Sequence, residues 1–332
     1  MGIKKTGVVG GGAWGTALAT SAARAGQDVC LWALEEDVAL AINNEHENTT
    51  FLPGIALDPA IRATNDMGDL ADRDAIMLVC PAQHLRSVGA QIAAAIAPGV
   101  PLIICSKGIE ITSLELMNDI LASVAPGHPI IVLSGPTFAS EVANNLPSAV
   151  TLACKDEALG IELANALGHS RFRPYLTDDV IGAQIGGAVK NVLAIAAGII
   201  EGAQLGDNTA AMMITRGLAE IMRLGDVLGG RRETLAGLSG LGDLLLTCGS
   251  TQSRNMSLGK ALGEGKTMED VLSTRKSIAE GVHTAKAVAR LAEQRSVDMP
   301  ICLAVNRVLH HGAVVNDELE ALLSRPFVAE TI

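Results

Sequence analysis

A short apolar run, Thr6-Gly7-Val8-Val9, leads without a break into Gly10-Gly11-Gly12-Ala13-Trp14-Gly15 and then into an alanine-rich stretch reaching about Ala25. This is G-x-G-x-x-G with a strand before it and a helix after it, the setting in which the motif has a mechanical meaning. Gly10 permits a tight turn, Gly12 lets backbone approach a pyrophosphate, and Gly15 lets the helix pack on the strand. The phosphates of a dinucleotide would then face the amide groups and the positive dipole end of that helix.

The pattern continues as a doubly wound sheet requires. A second strand, Asp28 to Ala33, ends at Leu34-Glu35-Glu36-Asp37. An acid about 20 residues past the motif suits the adenosine ribose hydroxyls of NAD and would repel the 2′-phosphate of NADP, and Glu35 is the candidate. The same acids also suit the opening of a helix, where negative charge meets the dipole, so Glu35 can take the first role and Asp37 the second. Strand-like runs follow at Ala75–Val79, Leu102–Cys105, Ile130–Leu133 and Ala149–Ala153, with helical stretches such as Leu85–Ile96 and Leu114–Val124 between most of them. Alternating strands and helices predict an α/β fold with a Rossmann-type, doubly wound parallel sheet, whose ligands bind at the carboxyl ends of the strands. Three of those ends carry chemistry: Cys80-Pro81-Ala82-Gln83, Ser106-Lys107-Gly108-Ile109-Glu110, and Ser134-Gly135-Pro136-Thr137 running on to Glu141. Lys107 therefore stands where cofactor and substrate would meet, unless it is an ordinary solvated loop lysine.

From Thr177-Asp178-Asp179 onward the strand pattern stops, and Asp178 or Asp179 can cap a helix. The remainder reads as almost wholly helical, so residues 1–178 are expected to form a dinucleotide-binding domain and residues 179–332 an all-α substrate-binding and catalytic domain. The run Ile185–Glu201, IGGAVKNVLAIAAGIIE, is the most apolar long stretch in the chain, yet it holds Lys190 beside Asn191. On a helix, Gly186, Gly187, Ala194, Ala197 and Gly198 surround the lysine, leaving room for a neighbouring helix or for a substrate. The plain alternative is a lysine whose stem lies on apolar surface while its ammonium reaches water.

Composition removes several function classes. A net charge of −11 argues against a nucleic-acid partner, because a phosphate backbone wants a basic surface. The six cysteines are scattered, with no C-x-x-C and no H-E-x-x-H, so neither a metal nor a disulfide framework is expected. Free thiols suggest a reducing compartment, and the first residues lack the apolar core of a signal peptide, so a cytoplasmic protein is expected. No uncharged run is long enough for stable membrane insertion, because Lys190 interrupts the one that comes nearest. A homodimer is carried as an open expectation.

In the helical half, Leu238-Ser239-Gly240-Leu241-Gly242-Asp243 is glycine-rich, and Asp243 shares a helix face with Thr247. Taken alone, Asp243 is a better helix cap than a functional acid. Ser253-Arg254-Asn255 sets a guanidinium beside an amide, and arginine grips phosphate through two parallel hydrogen bonds. Ile278-Ala279-Glu280-Gly281-Val282-His283-Thr284 is a polar lead into another helix. No histidine has a partner pattern that marks it as a base, and no G-x-S-x-G or Cys/His nucleophile stands out. A dinucleotide fold with lysines and a phosphate grip points to hydride transfer, in which the cofactor carries the hydride and the protein supplies orientation and a proton. A lysine in a small dry pocket, near a second cation, suits that proton transfer.

With these residues placed, the chain resembles the soluble, bacterial-type NAD(P)-dependent glycerol-3-phosphate dehydrogenase family over nearly its whole length. The marks include GGGAWGTALA at Gly10–Ala19, ENTTFLPG at Glu47–Gly54, CSKGIE at Cys105–Glu110, SGPTFASEV at Ser134–Val142 and GGAVKNVLAIAAGI at Gly186–Ile199. TRGLAEI at Thr215–Ile221, LSGLGDL at Leu238–Leu244, SRN at Ser253–Asn255 and AEGVHTAKAV at Ala279–Val288 complete nine segments in one order. The resemblance implies that Lys190 is the proton donor or acceptor, with Lys107 adding charge nearby and contacting both cofactor and substrate. It implies that Gly135, Thr137, Asp243, Ser253, Arg254 and Asn255 line the substrate. Ala13, Trp14, Ala139, Arg254, Ile278 and Glu280 would line the dinucleotide beside Gly10, Gly12, Gly15 and Glu35. The implied reaction interconverts dihydroxyacetone phosphate and sn-glycerol 3-phosphate with NAD or NADP, supplying phospholipid synthesis.

One departure matters. Many bacterial members carry His or Arg just after the Leu-Trp of strand two, whereas Trp32-Ala33-Leu34-Glu35-Glu36 is acidic, so NAD is expected to be preferred. Two rivals share part of the pattern: β-hydroxyacid and 6-phosphogluconate-type dehydrogenases, and a non-catalytic NAD-binding redox sensor.

Overall fold

The structure is a computed structural model that describes residues 2–273, 279–327 and 329. The chain divides into two compact units. The first comprises Met1–Lys107 and Glu115–Val180, and the second comprises Gly108–Leu114 and Ile181–Ile332.

Ten strands are described, all in the first unit: β1 Lys5–Val9, β2 Asp28–Trp32, β3 Glu47–Asn48, β4 Leu52–Ala56, β5 Arg62–Thr64, β6 Ala75–Leu78, β7 Leu102–Ile104, β8 Ile130–Ser134, β9 Ser148–Ala153 and β10 Phe172–Thr177. Its helices are α1 Ala13–Arg24, α2 Glu36–Glu45, α3 Leu85–Ala95, α4 Met117–Val124, α5 Ala139–Ala143 and α6 Glu157–Leu167. Eight strands form one sheet in the order β10-β9-β8-β7-β6-β1-β2-β5, while β3 and β4 form a separate hairpin. Counting only the first six sheet strands, the order β5-β2-β1-β6-β7-β8 is 3-2-1-4-5-6, the doubly wound arrangement expected from the strand–helix alternation. Its order reverses between β1 and β6, where such sheets bind ligands.

The sheet is not wholly parallel. β9 runs antiparallel to β8, and β10 then returns parallel to β9. The link from β8 to β9 contains only α5, five residues long. At about 1.5 Å per residue that helix covers less than half the length of the five-residue β8. The chain therefore re-enters the sheet from the end it left. β10 has no counterpart among the expected strands, because Phe172-Arg173-Pro174-Tyr175-Leu176-Thr177 contains a proline and largely exposed residues. Both are tolerated on an edge strand, which pairs on one side only.

The second unit contains α7 Val180–Gly202, which begins at the boundary between units, α8 Asp207–Leu228, α9 Arg232–Leu235, α10 Asp243–Cys248, α11 Arg254–Gly263, α12 Met268–Ser273, α13 Glu280–Arg295, α14 Pro300–His310 and α15 Val315–Leu323. A π-helical turn, Leu238–Gly242, runs directly into α10. α7 is long and apolar enough to cross a membrane, but 94% of its apolar window is buried inside the fold. A helix apolar on all sides is a core helix when other helices surround it.

Glycines decide how those helices meet. A Cβ on Gly198 or Gly202 would overlap the carbonyl oxygens of Met256 or Lys260 on α11. A Cβ on Gly259 or Gly263 would overlap those of Ile195 or Ile199 on α7. The two helices therefore cross backbone to backbone. Likewise a Cβ on Gly186 would overlap the Ser239 carbonyl of the π-turn. The small-residue face around Lys190 is thus occupied by protein at Gly186 and Gly198, which answers the choice between a neighbouring helix and a substrate at those two positions.

Candidate active site

In the first unit, the glycine loop has the form of a phosphate cradle. Gly10 has φ +130°, and a Cβ there would press on the Val79 backbone at 2.9 Å. A Cβ on Gly15 would overlap the Gly10 carbonyl oxygen, whereas one on Gly12 would meet no atom within 4 Å. Gly12 is also the N-cap of α1 and brings no side chain to cap it. Bare backbone next to open space at a helix start fits an anionic ligand. Ala13 and Trp14 form the half-buried first turn.

Asn48 holds this loop in place. It is fully buried, and its Nδ2 donates to the Gly11 carbonyl at 2.7 Å and to Thr16 Oγ1 at 2.8 Å. Its Oδ1 accepts the Phe51 amide at 3.0 Å. Asn48 precedes the Phe51–Gly54 turn within the ENTTFLPG segment. The usable signal was an Asn placed just before that turn, a residue type that often bonds to nearby backbone.

Glu35 occupies the N-cap position of α2, directly after β2, and is exposed with no capping bond from its side chain. Asp37 Oδ1 accepts the Val38 amide at 3.0 Å. Lys107 follows β7 and donates from Nζ to the Gly135 carbonyl at 3.2 Å, while Thr137 Oγ1 donates to the same oxygen at 3.3 Å. Lys107, Gly135, Thr137 and Ala139, the first residue of α5, thereby gather just past β7 and β8.

The second unit brings together a buried polar cluster on α7, α10 and α11. Lys190 is 6% exposed and Asp243 is wholly buried. Lys190 Nζ donates to Asp243 Oδ1 at 2.5 Å and to Thr247 Oγ1 at 2.9 Å. Thr247 Oγ1 in turn donates to the Asp243 carbonyl at 2.6 Å, as the four-residue spacing allows. Asp243 does not act as a cap, because Gly242 holds the N-cap position of α10. The partner of Lys190 here is a carboxylate. The backbone approach permitted by Gly186 lets so short a side chain reach the lysine. Burial pushes the nearby Cys248 thiol up to about 12, which keeps it protonated and unreactive.

Ser253 is the N-cap of α11, its hydroxyl accepting the Met256 amide at 3.3 Å. Arg254 is exposed in the first turn of the same helix. Asn255 is buried, with Nδ2 donating to Asn191 Oδ1 at 3.0 Å and Oδ1 accepting the Gly281 amide at 2.9 Å. Glu280 is the first residue of α13. Ile278 lies outside the described residues. Asn191 is the member of this cluster to which sequence reading gave no role beyond its place beside Lys190.

Comparison with known proteins gives a consistent result. Residues 5–160 match a family described as NAD-dependent glycerol-3-phosphate dehydrogenase N-terminus, and residues 179–320 match the corresponding C-terminus. The chain is 55% identical over 331 residues to a glycerol-3-phosphate dehydrogenase, NAD(P)+, of Parvibaculum lavamentivorans, covering 100% of this chain and 99% of that one. It is 56% identical over 325 residues to the similarly named protein of Maricaulis maris, covering 98% of each. Among solved structures, it is similar to glycerol-3-phosphate dehydrogenase from Coxiella burnetii, with a TM-score of 0.93, 38% identity and coverage of 97% and 99%.

Proposed function

The chain belongs to the NAD-dependent glycerol-3-phosphate dehydrogenase family, and from that premise we propose that Lys190 gives and takes the proton in its reaction. The chain is an NAD(P)-dependent oxidoreductase acting on a CH–OH group, interconverting dihydroxyacetone phosphate and sn-glycerol 3-phosphate. The bound nicotinamide supplies or accepts the hydride.

The observation that carries the assignment is the buried Lys190–Asp243 pair with Thr247. Burying two charges is a poor way to gain stability, so such a pair within a polar cluster is a candidate for chemistry. Asp243 and Thr247 take two of the ammonium hydrogens, which fixes the lysine's torsion. A positioned ammonium can protonate the oxygen of a carbonyl as negative charge develops there, and in reverse the amine can accept the hydroxyl proton. Lys107 adds positive charge near the reacting oxygen and contacts both ligands. Ser253, Arg254 and Asn255 at the start of α11, with Gly135 and Thr137, bind the substrate. Arg254 suits phosphate because its guanidinium can bond two oxygens at once.

Gly10, Gly12, Ala13, Trp14, Gly15, Lys107, Ala139, Arg254, Ile278 and Glu280 hold the dinucleotide, with Glu35 on the adenosine ribose. Exposed Glu35 favours NAD over NADP by repelling a 2′-phosphate. Residues 1–178 carry most of the dinucleotide contacts, and residues 179–332 carry most of the substrate contacts and the proton transfer. The product feeds phospholipid synthesis in the cytoplasm, a location that six free cysteines support.

The test follows NADH absorbance with dihydroxyacetone phosphate, using 3-hydroxy acids as control substrates. Lys190→Met should lose kcat by at least about a hundredfold while NADH binding persists. Near-normal turnover in that variant would remove Lys190 from the mechanism.

A further inference from the structure

Asn255 joins three elements of the second unit. It sits on α11, reaches α7 through Asn191, and accepts the amide of Gly281 in the first turn of α13. That last bond is a helix cap supplied from a distance. The N-cap of α13 is Ala279, whose side chain cannot accept a hydrogen bond. Gly281 makes the seat possible: a Cβ there would lie 2.6 Å from both the Asn191 carbonyl oxygen and Asn255 Oδ1, and 2.9 Å from Ile195 Cδ1.

The amide orientation of Asn255 is forced by these neighbours. Its oxygen must face the Gly281 N–H and its nitrogen must face Asn191 Oδ1. Flipping the amide would set donor against donor and acceptor against acceptor. An amide can donate two hydrogens, so one Nδ2 hydrogen is left for a ligand. A phosphate oxygen accepting it would add a third bond holding Asn255 in the position that caps α13. Glu280, assigned above to the dinucleotide, is the residue immediately before Gly281.

We propose that Asn255 and Gly281 form a strut through which substrate phosphate and cofactor strengthen each other's binding, with Gly281 as a positioning residue. This rests on the reading of Asn255 as a phosphate ligand and Glu280 as a dinucleotide contact. Linkage makes the effect reciprocal: glycerol 3-phosphate tightens NADH by the factor with which NADH tightens glycerol 3-phosphate.

The test measures NADH affinity by fluorescence with and without saturating glycerol 3-phosphate. Wild type should show tightening of about fivefold or more, the lower end of ordinary coupling. Gly281→Ala should reduce this below about twofold, and because its Cβ also presses on Asn255 Oδ1, glycerol 3-phosphate affinity without NADH should weaken in the same variant. Should Gly281→Ala fail to fold, Ala279→Ser decides the matter. A serine hydroxyl at the N-cap gives α13 its own acceptor for the Gly281 amide and competes with Asn255 for it, by adding one atom at the buried Ala279. It should keep or raise thermal stability yet weaken the coupling. A merely structural role for Asn255 predicts the reverse, full coupling in Ala279→Ser, and that result overturns the proposal. Absence of coupling in an active wild-type enzyme overturns it as well, while leaving the dehydrogenase reading intact. A wild-type chain that neither binds NADH nor consumes it with dihydroxyacetone phosphate would overturn both.

Discussion

Replacing Glu220 with glutamine isolates one buried carboxyl whose effect on stability has a defined sign and size. Glu220 lies on α8 and is 1% exposed. Its two oxygens accept the amides of Ile301 at 2.6 Å and Cys302 at 3.0 Å, in the first turn of α14. That helix begins with Pro300, and its N-cap Met299 provides no side-chain cap, so Glu220 does the capping. Burial nevertheless pushes the carboxyl up to about 7, against the opposing pull of the two amides and Arg223. The ordinary value is 4.5. At 1.36 kcal/mol per pH unit, the difference corresponds to about 3 kcal/mol. Because the value in the fold is raised, Glu220 contributes this stability below about pH 4.5 and loses it as pH rises through about 7. Denaturant unfolding of wild type and Glu220→Gln at pH 4.5, 6, 7 and 8 isolates the term. Glutamine itself adds an offset that does not change with pH. Wild type should therefore lose about 3 kcal/mol relative to the variant across that range. Parallel stability curves would refute the reasoning, and so would a wild type that gains on the variant as pH rises.

Gly259→Val should destabilise the protein by about 1–3 kcal/mol or more, read as a lower unfolding midpoint, because its side chain meets the Ile195 carbonyl, a backbone atom that no rotamer change can move. The same change should raise the KM for dihydroxyacetone phosphate, since Asn255 on that helix must stay in register with Asn191. For coenzyme choice, steady-state kinetics should give a higher kcat/KM with NADH than with NADPH, and Glu35→Arg should shift the ratio towards NADPH by about tenfold or more, as expected when one repulsion becomes an attraction. A higher wild-type kcat/KM with NADPH would refute the role given to Glu35.

The elements that were legible in the sequence share a local cause. β1, the glycine turn and α1 form one continuous pattern, and each glycine there except Gly12, which faces open space, answers to a neighbour a few residues away or on an adjoining element. The core strands β2, β6, β7, β8 and β9 are short apolar runs buried on both faces, so their sequences carry the signal. The edge strands β5 and β10 lacked that apolar signal because they are less buried. Leu114 was expected to open a helix; it has φ +62° and belongs to the segment Gly108–Leu114, which clusters with the second unit. Arg290 holds that segment by donating to the Ile111 carbonyl. A contact across 179 residues leaves no local trace in sequence.

The sequence by itself determined the dinucleotide fold, the point at which strands cease, and the residue types from which a phosphate-handling dehydrogenase could be built. These follow from periodicity, turn chemistry and local motif spacing, which act over a few residues. Only the tertiary structure decided which side chains meet. Lys190 and Asp243 lie 53 residues apart in the chain, and Asn255 and Asn191 lie 64 apart. They meet because glycines on α7 and α11 let backbones touch, bringing short polar side chains within hydrogen-bonding distance. Read in sequence, those glycines could have been space for a ligand or seats for a helix. The distinction depends on what the rest of the chain places opposite them, and that is set by packing, not by the local sequence.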